Sequence, residues 1–293
     1  MLRRRLARQW PLYAMLLLPI IYYVIFCYWP MYGLNIAFKK NIIKNEWVGL
    51  YNFIKFLSDP YFYKLLRNTL LLNVYSLAFS FPAPIALALM FNELKNLRFK
   101  RVIQSITYLP HFISTVVVCG MVVNFLSNDG FVNQVLASLG FERIQFLMQP
   151  GFFRPIYIIS GIWQNVGWSS IIYLAAISGV DEELYEAATI DGAGRLRKVL
   201  SITLPCIAPT VSIMLIMAIG GIMSVGAEKV LLLYNGATYE TADVISTFVY
   251  RRGMQGADYS YASAVGMFQS VVGLLFLYAA NRFSAKISGS SLW

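Results

Sequence analysis

Long apolar runs separated by short polar segments dominate this chain. Six runs match or exceed the ~20 residues that a helix needs to cross a hydrocarbon layer about 30 Å thick. They are residues 12–38, 65–91, 102–126, 152–180, 202–225 and 261–283. Because backbone groups inside a membrane must be bonded within the protein, we predict that each run is a helix. The pattern therefore predicts an all-α membrane protein with six transmembrane helices.

Composition supports a membrane protein and argues against a nucleic acid partner. Of 293 residues, 58% are hydrophobic and 13% are charged, whereas a soluble domain carries about 25% charged residues. The net charge of +10 would suggest nucleic acid in a soluble protein. Here the basic residues flank the apolar runs, where they set orientation. We therefore expect membrane lipids around the chain and no nucleic acid partner.

The placement of basic residues predicts the orientation. Arg3, Arg4, Arg5 and Arg8 precede the first run, and the loop of residues 92–101 is short and basic. The alternate loops, residues 39–64, 127–151 and 226–260, are longer, and positive charge matters most on short loops. We predict that both termini lie in the cytoplasm of a multi-pass protein.

The apolar pattern also divides the chain. Residues 1–64 are predicted to hold the first span and an outer segment, and residues 65–293 to form a core of five helices. The outer segment is rich in aromatic residues, with Trp47, Tyr51, Phe53, Tyr61, Phe62 and Tyr63. It either lies on the outer leaflet as an amphipathic helix or contacts an external partner.

Polar residues cluster in the fourth run. Gln164 and Asn165 lie between Trp163 and Trp168, and Gln269 lies in the sixth run. Polar groups inside a membrane usually face the bundle or a cavity. A tryptophan face beside amides suits a sugar, but hydrogen bonding between helices explains the same residues, and both interpretations stay open.

Motifs for catalysis, metal binding and ion coupling are missing from the sequence. There is no P-loop, zincin or nucleophile-elbow motif, the only histidine is His111, and the three cysteines have no metal-site spacing. We predict no catalytic residues and no metal site. No Asp, Glu, Lys or Arg lies in the middle of a run, which argues against an ion-coupled carrier acting alone.

The segment of residues 181–209 is the most charged stretch within the apolar part of the chain. Asp181 is a good helix N-cap and acidic residues follow it, while Asp191-Gly192 is expected to end the helix. A second short basic helix around Leu196 should follow, with prolines marking entry into the fifth run. Such a helix–turn–helix could lie on lipid headgroups, but three consecutive acidic residues and an Ala-Ala face favour a groove in a partner protein.

This segment carries a recognisable pattern: E-A-A, three residues, G, nine residues, I-x-L-P. Its positions are Glu186, Ala187, Ala188, Gly192, Ile202, Leu204 and Pro205, with Asp191 before the glycine. The pattern resembles the signature of permease subunits of binding-protein-dependent ABC importers. The stretches WPMYGLNIAFK, WVGLYNFIKFL, FPAPIALAL, YLPHFIS and YSYASAVGMFQSV resemble the polysaccharide and oligosaccharide branch, with aldouronate, rhamnogalacturonan and alginate oligosaccharide permeases. The chain departs from the pattern at Val199 and Leu200, where aromatic residues are common.

The resemblance implies a fold, partners and a role. It implies the type I importer permease fold with a coupling helix around residues 181–201, between helices 4 and 5, in the prokaryotic cytoplasmic membrane. The implied partners are a second homologous permease, a cytoplasmic ABC ATPase dimer, an extracellular or periplasmic solute-binding protein and the oligosaccharide. The chain itself would hold no cofactor, because ATP and magnesium would bind the ATPase.

The resemblance implies substrate residues less sharply. Sugar permeases build their pocket from later spans, which indicates Trp163, Gln164, Asn165, Trp168 and Gln269. Uronate-importing relatives suggest an acidic sugar, which Lys229, Arg251 and Arg252 would favour, although these residues also suit docking or simple solvation. A neutral di- or oligosaccharide remains the alternative within the family, and a stand-alone secondary carrier the alternative outside it.

Overall fold

The structure of the chain is a computed structural model that describes residues 2–41, 43, 45–287 and 291–292. Within these residues the regular elements are helices, and the only β-pairing is an isolated bridge between Lys39 and Trp47. The predicted all-α class is confirmed. The apolar runs explain this result, because a helix bonds its own backbone groups without any neighbouring segment.

The first half of the described chain contains eight α-helices. They are α1 (Leu2–Tyr22), α2 (Trp29–Met31), α3 (Tyr51–Leu57), α4 (Phe62–Tyr75), α5 (Pro82–Glu93), α6 (Leu97–Tyr108), α7 (Thr115–Leu126) and α8 (Phe131–Ser138). The π-helical turn Tyr23–Tyr28 joins α1 to α2, and the 3₁₀ turn Tyr32–Phe38 follows α2. The π-helical turn Ser76–Ser80 lies between α4 and α5.

The second half contains eight more. They are α9 (Pro150–Ser178), α10 (Glu182–Ile190), α11 (Arg195–Lys198), α12 (Leu204–Gly220), α13 (Ala227–Leu233), α14 (Tyr239–Ala242), α15 (Ile245–Tyr250) and α16 (Tyr259–Ile287). π-helical turns Val199–Thr203 and Arg251–Gln255 precede α12 and follow α15.

The third apolar run is not one helix. The 3₁₀ turn Leu109–Phe112 ends α6, and α7 starts afresh after Ser114, whose hydroxyl accepts a hydrogen bond from the Val117 amide at 3.4 Å. Pro110 lacks the N–H that an α-helical hydrogen bond needs, and its ring crowds the preceding turn. The prediction of an unbroken helix over residues 102–126 is therefore wrong.

Among the described residues, five helical stretches are long and apolar enough to cross a membrane: Gln9–Phe38, Phe62–Glu93, Thr115–Ser138, Arg195–Gly220 and Tyr259–Lys286. The fourth predicted run forms α9, whose 29 residues give a length of about 43 Å. Gln164, Asn165 and neighbouring serines make the centre of α9 more polar than the five helical stretches named above. The count of six spans stays a prediction.

The chain forms two compact units. The first comprises Met1–Asp59 and Val249–Phe268. In this unit the buried Phe56 packs edge-on against the rings of Tyr261 and Phe268. The amide of Asn52 donates to the carbonyl oxygens of Ala37 and Lys39, each at 2.9 Å, and so holds the end of the first span.

The second unit comprises Pro60–Phe248 and Gln269–Trp293. One core cluster joins Tyr173 and Ile177 of α9 to Ala88 of α5 and Ile207 of α12. Another joins α4, α7, α9, α13 and α14, with Leu72, Cys119, Phe153, Val230 and Ala242 among its buried residues. The predicted boundary at residue 64 stays a prediction.

Within the second unit, α6 and α9 approach each other closely at Gly167. A methyl group at this position would lie 2.1 Å from the carbonyl oxygen of Thr107 and 2.5 Å from its carbonyl carbon. Small residues allow such backbone approaches between membrane helices. The contact fixes α9 beside the interruption that follows α6.

We expect Gly167→Ala to lower the free energy of unfolding by about 1–3 kcal/mol, because the added carbon overlaps backbone atoms that cannot rotate away. Thermal unfolding of the detergent-solubilised protein measures the change. Gly120→Ala is the matched control, since nothing lies within 4 Å of the added carbon there and alanine favours a helix interior by up to about 1 kcal/mol. Equal stability of the two variants would contradict this account of Gly167.

Candidate functional site

The start of α10 follows the local sequence signals. The carboxylate of Asp181 accepts a hydrogen bond from the Glu183 amide at 3.0 Å, and Glu182 and Glu183 occupy the first turn. Negative charge there is stabilised by the exposed N–H groups and the helix dipole. The predicted N-cap is confirmed.

The end of α10 depends on Gly192. Its φ is +74°, a left-handed conformation that glycine adopts without steric cost. The Gly192 amide donates to the carbonyl of Thr189 at 3.0 Å, and the Ala193 amide donates to that of Ala188 at 2.8 Å. These two bonds form a Schellman motif. The predicted helix end at Asp191-Gly192 is confirmed, and its geometry explains the glycine of the sequence pattern.

The second short helix differs from the prediction. Helix α11 continues through the π-helical turn Val199–Thr203 into α12, so that residues 195–220 form one helical stretch. Pro205 lies at the first positions of α12, where a missing N–H costs little. The expectation of a separate second helix, marked off from the fifth run by prolines, is wrong.

Three side-chain contacts hold α10 and α11 to each other and to their neighbours within the second unit. The hydroxyl of Tyr185 is hydrogen-bonded to that of Thr203 at 2.9 Å, and the Lys198 ammonium donates to Thr189 at 2.6 Å. Arg195 and Glu93 form an exposed ion pair at 3.9 Å. Helix α10 therefore contacts the start of α12 directly, and α11 contacts the end of α5.

The pattern residues divide into two groups. Ala188, Ile202 and Leu204 are half-buried, and Leu204 packs against the cluster shared by α5, α9 and α12. The others, Glu186, Ala187, Asp191, Gly192 and Pro205, are exposed. Ile190 and Leu196 beside them are 88% and 72% exposed. The exposed surface of this segment is therefore apolar and bordered by charges.

A polar cavity of about 370 Å³ lies within the second unit. Its walls come from the π-helical turn 76–80, α5, α7, α9 and α13. The polar and small lining residues are Ser76, Ser80, Thr115, Tyr157, Gly161, Gln164, Asn165, Ser169, Gly226, Glu228 and Lys229. Of the predicted substrate residues, this cavity brings together Gln164 and Asn165.

Both amides also have structural partners. Gln164, which is 7% exposed, donates to the carbonyl of Ile113 at 3.0 Å, where the chain between α6 and α7 is extended. The side-chain oxygen of Asn165 lies 3.0 Å from Nδ1 of His111. The His111 ring stacks on Trp168 with centroids 4.8 Å apart. These contacts hold the break between α6 and α7 against α9.

The remaining predicted substrate residues lie elsewhere. Trp163 lines a separate apolar cavity of about 590 Å³ between α7 and α9. Gln269 donates to the carbonyl of Met223, just after α12, and to the Ser246 hydroxyl at 3.3 Å. The structure does not bring either residue to the polar cavity, and their role in a substrate pathway stays a prediction.

Lys229 is the cation of the polar cavity. Its ammonium donates to the carbonyl of Tyr157 at 2.8 Å and lies 4.6 Å from the centre of the Tyr157 ring. Burial lowers the pKa of Lys229 to about 8, because desolvation disfavours the charged form. Sequence reasoning had placed this residue in an outer loop. Its burial depends on α13 packing on α9, and no local sequence signal reports a contact between residues so far apart.

The other two basic residues of that loop lie in a different unit. Arg251 and Arg252 begin the π-helical turn Arg251–Gln255 of the first unit. Neither is among the lining residues of the cavity. In the part of the chain that the structure describes, no three His, Cys, Asp or Glu side chains converge on a metal site.

Comparison with known proteins confirms the predicted family and fold class. The model of the family described as "Binding-protein-dependent transport system inner membrane component" matches residues 80–289. The chain is 43% identical to the polygalacturonan/rhamnogalacturonan transport system permease protein YteP of Bacillus subtilis (strain 168), over 99% of this chain and 92% of the relative. It is also 43% identical to the Protein LplB of the same organism, over 96% and 91% of the two chains.

A solved structure is similar over the whole length. It is the crystal structure of a bacterial alginate ABC transporter in complex with an alginate pentasaccharide-bound periplasmic protein. The matched chain is 48% identical, with a TM-score of 0.92, and the match covers 99% of each chain.

The turn at Gly192 generates a prediction. We expect Gly192→Ser to lower the free energy of local unfolding of α10 by about 1–2 kcal/mol, because an L-residue is strained at this φ. This loss should accelerate hydrogen exchange in residues 182–198 about 5- to 30-fold. Gly194→Ser is the matched control, because both positions have open space for a side chain but Gly194 has a φ of −69° and caps α11. Hydrogen-exchange mass spectrometry measures both variants. The same exchange rate in both would refute the Schellman explanation.

Proposed function

We propose, because this chain belongs to the family of binding-protein-dependent transport system inner membrane components, that it is a membrane subunit of an ATP-driven importer of oligosaccharides. The observation that carries the proposal is the full-length likeness to the alginate transporter chain, at 48% identity and a TM-score of 0.92. A permease named for polygalacturonan and rhamnogalacturonan is similar over 99% of the chain. The chain is thus a transporter component, and we propose that ATP and magnesium bind a separate ATPase.

The substrate we propose is an acidic oligosaccharide. Alginate, described as an acidic polysaccharide, and polygalacturonan are both polymers of carboxylate-bearing sugars. A neutral oligosaccharide is the second candidate, supported by the 28% identity to an arabinooligosaccharide permease of Bacillus subtilis. The higher identity to the acidic-polymer transporters supports the acidic substrate.

We propose that α10 docks into a groove of the ATPase. The support is its exposed surface around Glu186 and Ala187, with the apolar Ile190 and Leu196 beside it. An amphipathic helix in a groove is a common mode of recognition between proteins. Docking would bury apolar area that the isolated chain leaves exposed, and Glu186 would contact the ATPase surface.

Contacts within the second unit support transmission of movement from α10 to the cavity. Tyr185 links α10 to Thr203 at the start of α12, and Arg195 links α11 to Glu93 at the end of α5. Helix α5 contributes Pro84 to the wall of the polar cavity. Closure of two ATPase subunits would therefore move α10, α12 and α5 together and change the cavity that the substrate occupies.

The remaining assembly follows the same proposal. A second homologous permease would complete the pathway, and a solute-binding protein outside the membrane would deliver the sugar. Both termini and α10 would then lie in the cytoplasm. The large apolar surface of α1 and α2, where Trp10, Leu18 and Trp29 are exposed, is suited to contact with lipid.

Charge reversal at Glu186 tests the coupling role. We expect Glu186→Lys to reduce oligosaccharide-stimulated ATP hydrolysis to the unstimulated level, because a cation would replace the carboxylate on the docking surface. The assay uses the complete transporter, purified through a tag on this chain and reconstituted with its binding protein. Glu142→Lys, which reverses an exposed carboxylate outside α10, should hydrolyse ATP at the wild-type rate. Wild-type stimulation of ATP hydrolysis in Glu186→Lys would contradict the proposed role of Glu186 in coupling.

The alternative of a carrier acting alone has its own test. Oligosaccharide uptake into proteoliposomes that contain only this chain, without any ATPase or ATP, would support that alternative. We expect no such uptake.

A further inference from the structure

The ammonium of Lys229 has a hydrogen bond but no counter-ion among the described residues. Its partners are the carbonyl oxygen and ring face of Tyr157, and none of the ion pairs found in the described parts of the chain includes it. An ammonium has three donors, and the Tyr157 carbonyl takes one. A half-buried cation in this state gains more from an incoming anion than a solvated one does.

The space around Lys229 is open to a ligand. Gly161 faces the ammonium, and a methyl group on this glycine would lie 3.1 Å from Nζ. The same cavity carries hydroxyl and amide groups from Ser76, Ser80 and Asn165. One cation among neutral donors and acceptors matches the chemistry of a sugar that bears one carboxylate and several hydroxyls.

We propose that the polar cavity binds a uronate unit of the substrate and that Lys229 is the specificity-determining residue that holds its carboxylate. This inference rests on the proposed function and deepens it, because it assigns the selection of acidic over neutral sugars to one side chain of this chain. The residue acts on the substrate directly, through an ion pair and one or two hydrogen bonds.

Glu228 lines the same cavity and affects what can bind. It is exposed and carries a charge that repels a carboxylate. A ligand would therefore place its carboxylate at Lys229 and its hydroxyls towards Glu228, since a carboxylate oxygen accepts hydrogen bonds from hydroxyls. The pair gives the site a preferred ligand orientation.

A second cation lies on α9, the helix whose Tyr157 contacts Lys229. Arg154 lines an adjoining cavity of about 490 Å³, which shares Ile158 and Ile162 with the first. Its guanidinium donates to Asn68 at 2.9 Å, while its Nε atom is buried without a hydrogen-bond partner among the described residues. Cations in two adjoining cavities suit a chain of successive carboxylate-bearing sugars.

The test compares charged and uncharged forms of one oligosaccharide. Uptake is measured in proteoliposomes that contain the complete transporter and its binding protein, from an equimolar mixture of galacturonate oligomers and the same oligomers with their carboxyls reduced to alcohols. The ratio of the two uptake rates reports discrimination. Because the same binding protein serves every variant, its own preference cancels when variants are compared.

We expect Lys229→Gln to lower this ratio by about 10-fold or more, the effect of losing one charge-assisted contact. Lys229→Arg keeps the charge and should stay within about threefold of the wild type. Lys286→Gln removes an exposed cation near the end of α16 and should leave the ratio unchanged. An unchanged ratio in Lys229→Gln overturns the inference, and so does wild-type uptake of only the carboxyl-reduced oligomers.

A pH titration tests the same inference in the wild-type protein, so that the result does not depend on whether Lys229→Gln folds. The pKa of Lys229 is about 8 in the empty cavity, and a bound carboxylate would raise it. The ratio of acidic to carboxyl-reduced uptake should therefore be highest near about pH 7 and fall at least about fivefold by about pH 9.5 in the wild type. In Lys229→Arg this ratio should stay constant over the same range. Tyr157 and Cys119 lie near this ammonium and Glu228 lines the same cavity. All three are common to both proteins, so that equal pH dependence in the two would refute the role of Lys229.

The outcomes separate this inference from the proposed function. If no oligosaccharide is taken up by the wild-type transporter with ATP and binding protein present, the proposed function fails and the inference fails with it. If the wild type takes up galacturonate oligomers and Lys229→Gln discriminates as well as the wild type, only the inference fails.

Discussion

The satisfaction of backbone groups away from water governs this structure. A membrane helix bonds its own N–H and C=O groups, and every interruption frees carbonyls that must find another donor. The chain interrupts its helices repeatedly, and polar side chains meet the freed groups. Gln164 donates to Ile113 at the break after α6, Gln269 to Met223 after α12, and Asn68 to Glu240 and Asp243 beside α14. The polar cavity borders two of these interruptions, because its lining includes Thr115, the first residue of α7, and Gly226 between α12 and α13.

This constraint explains why the polar residues of the apolar runs had two interpretations. A glutamine in an apolar helix signals a buried partner, but the sequence does not say whether that partner is a carbonyl or a ligand. The structure gives Gln269 carbonyl and hydroxyl partners, and it gives Gln164 and Asn165 protein partners while leaving them on the cavity wall. Supporting the helix break and lining the cavity are compatible, since an amide has more hydrogen-bonding capacity than one bond uses.

What the sequence predicted well is what local chemistry determines. Apolar length predicted helices, Asp181 predicted the start of α10, and Gly192 predicted its end, because each of these depends on neighbouring residues in the chain. The third run was predicted as one helix because composition outweighed Pro110, and the continuation of α11 into α12 was missed because a π-helical turn has no composition of its own. The burial of Lys229 could not be predicted, because Lys229 and Tyr157 are separated by 72 residues in the sequence. No pattern within α13 or α9 indicates that the two helices are in contact.

The unbroken helix from Arg195 to Gly220 has a mechanical consequence. Its 26 residues extend about 39 Å, so that a tilt of about 10° around one end displaces the other by about 7 Å, which exceeds the rise of a full helical turn. Two separate short helices would bend at the joint between them, so that the far end would move little. A continuous helix moves as one body, and the displacement of each end depends on its distance from the pivot. If the stretch pivots at the π-helical turn Val199–Thr203, near the Tyr185 hydrogen bond, α11 is its short arm and α12 its long arm.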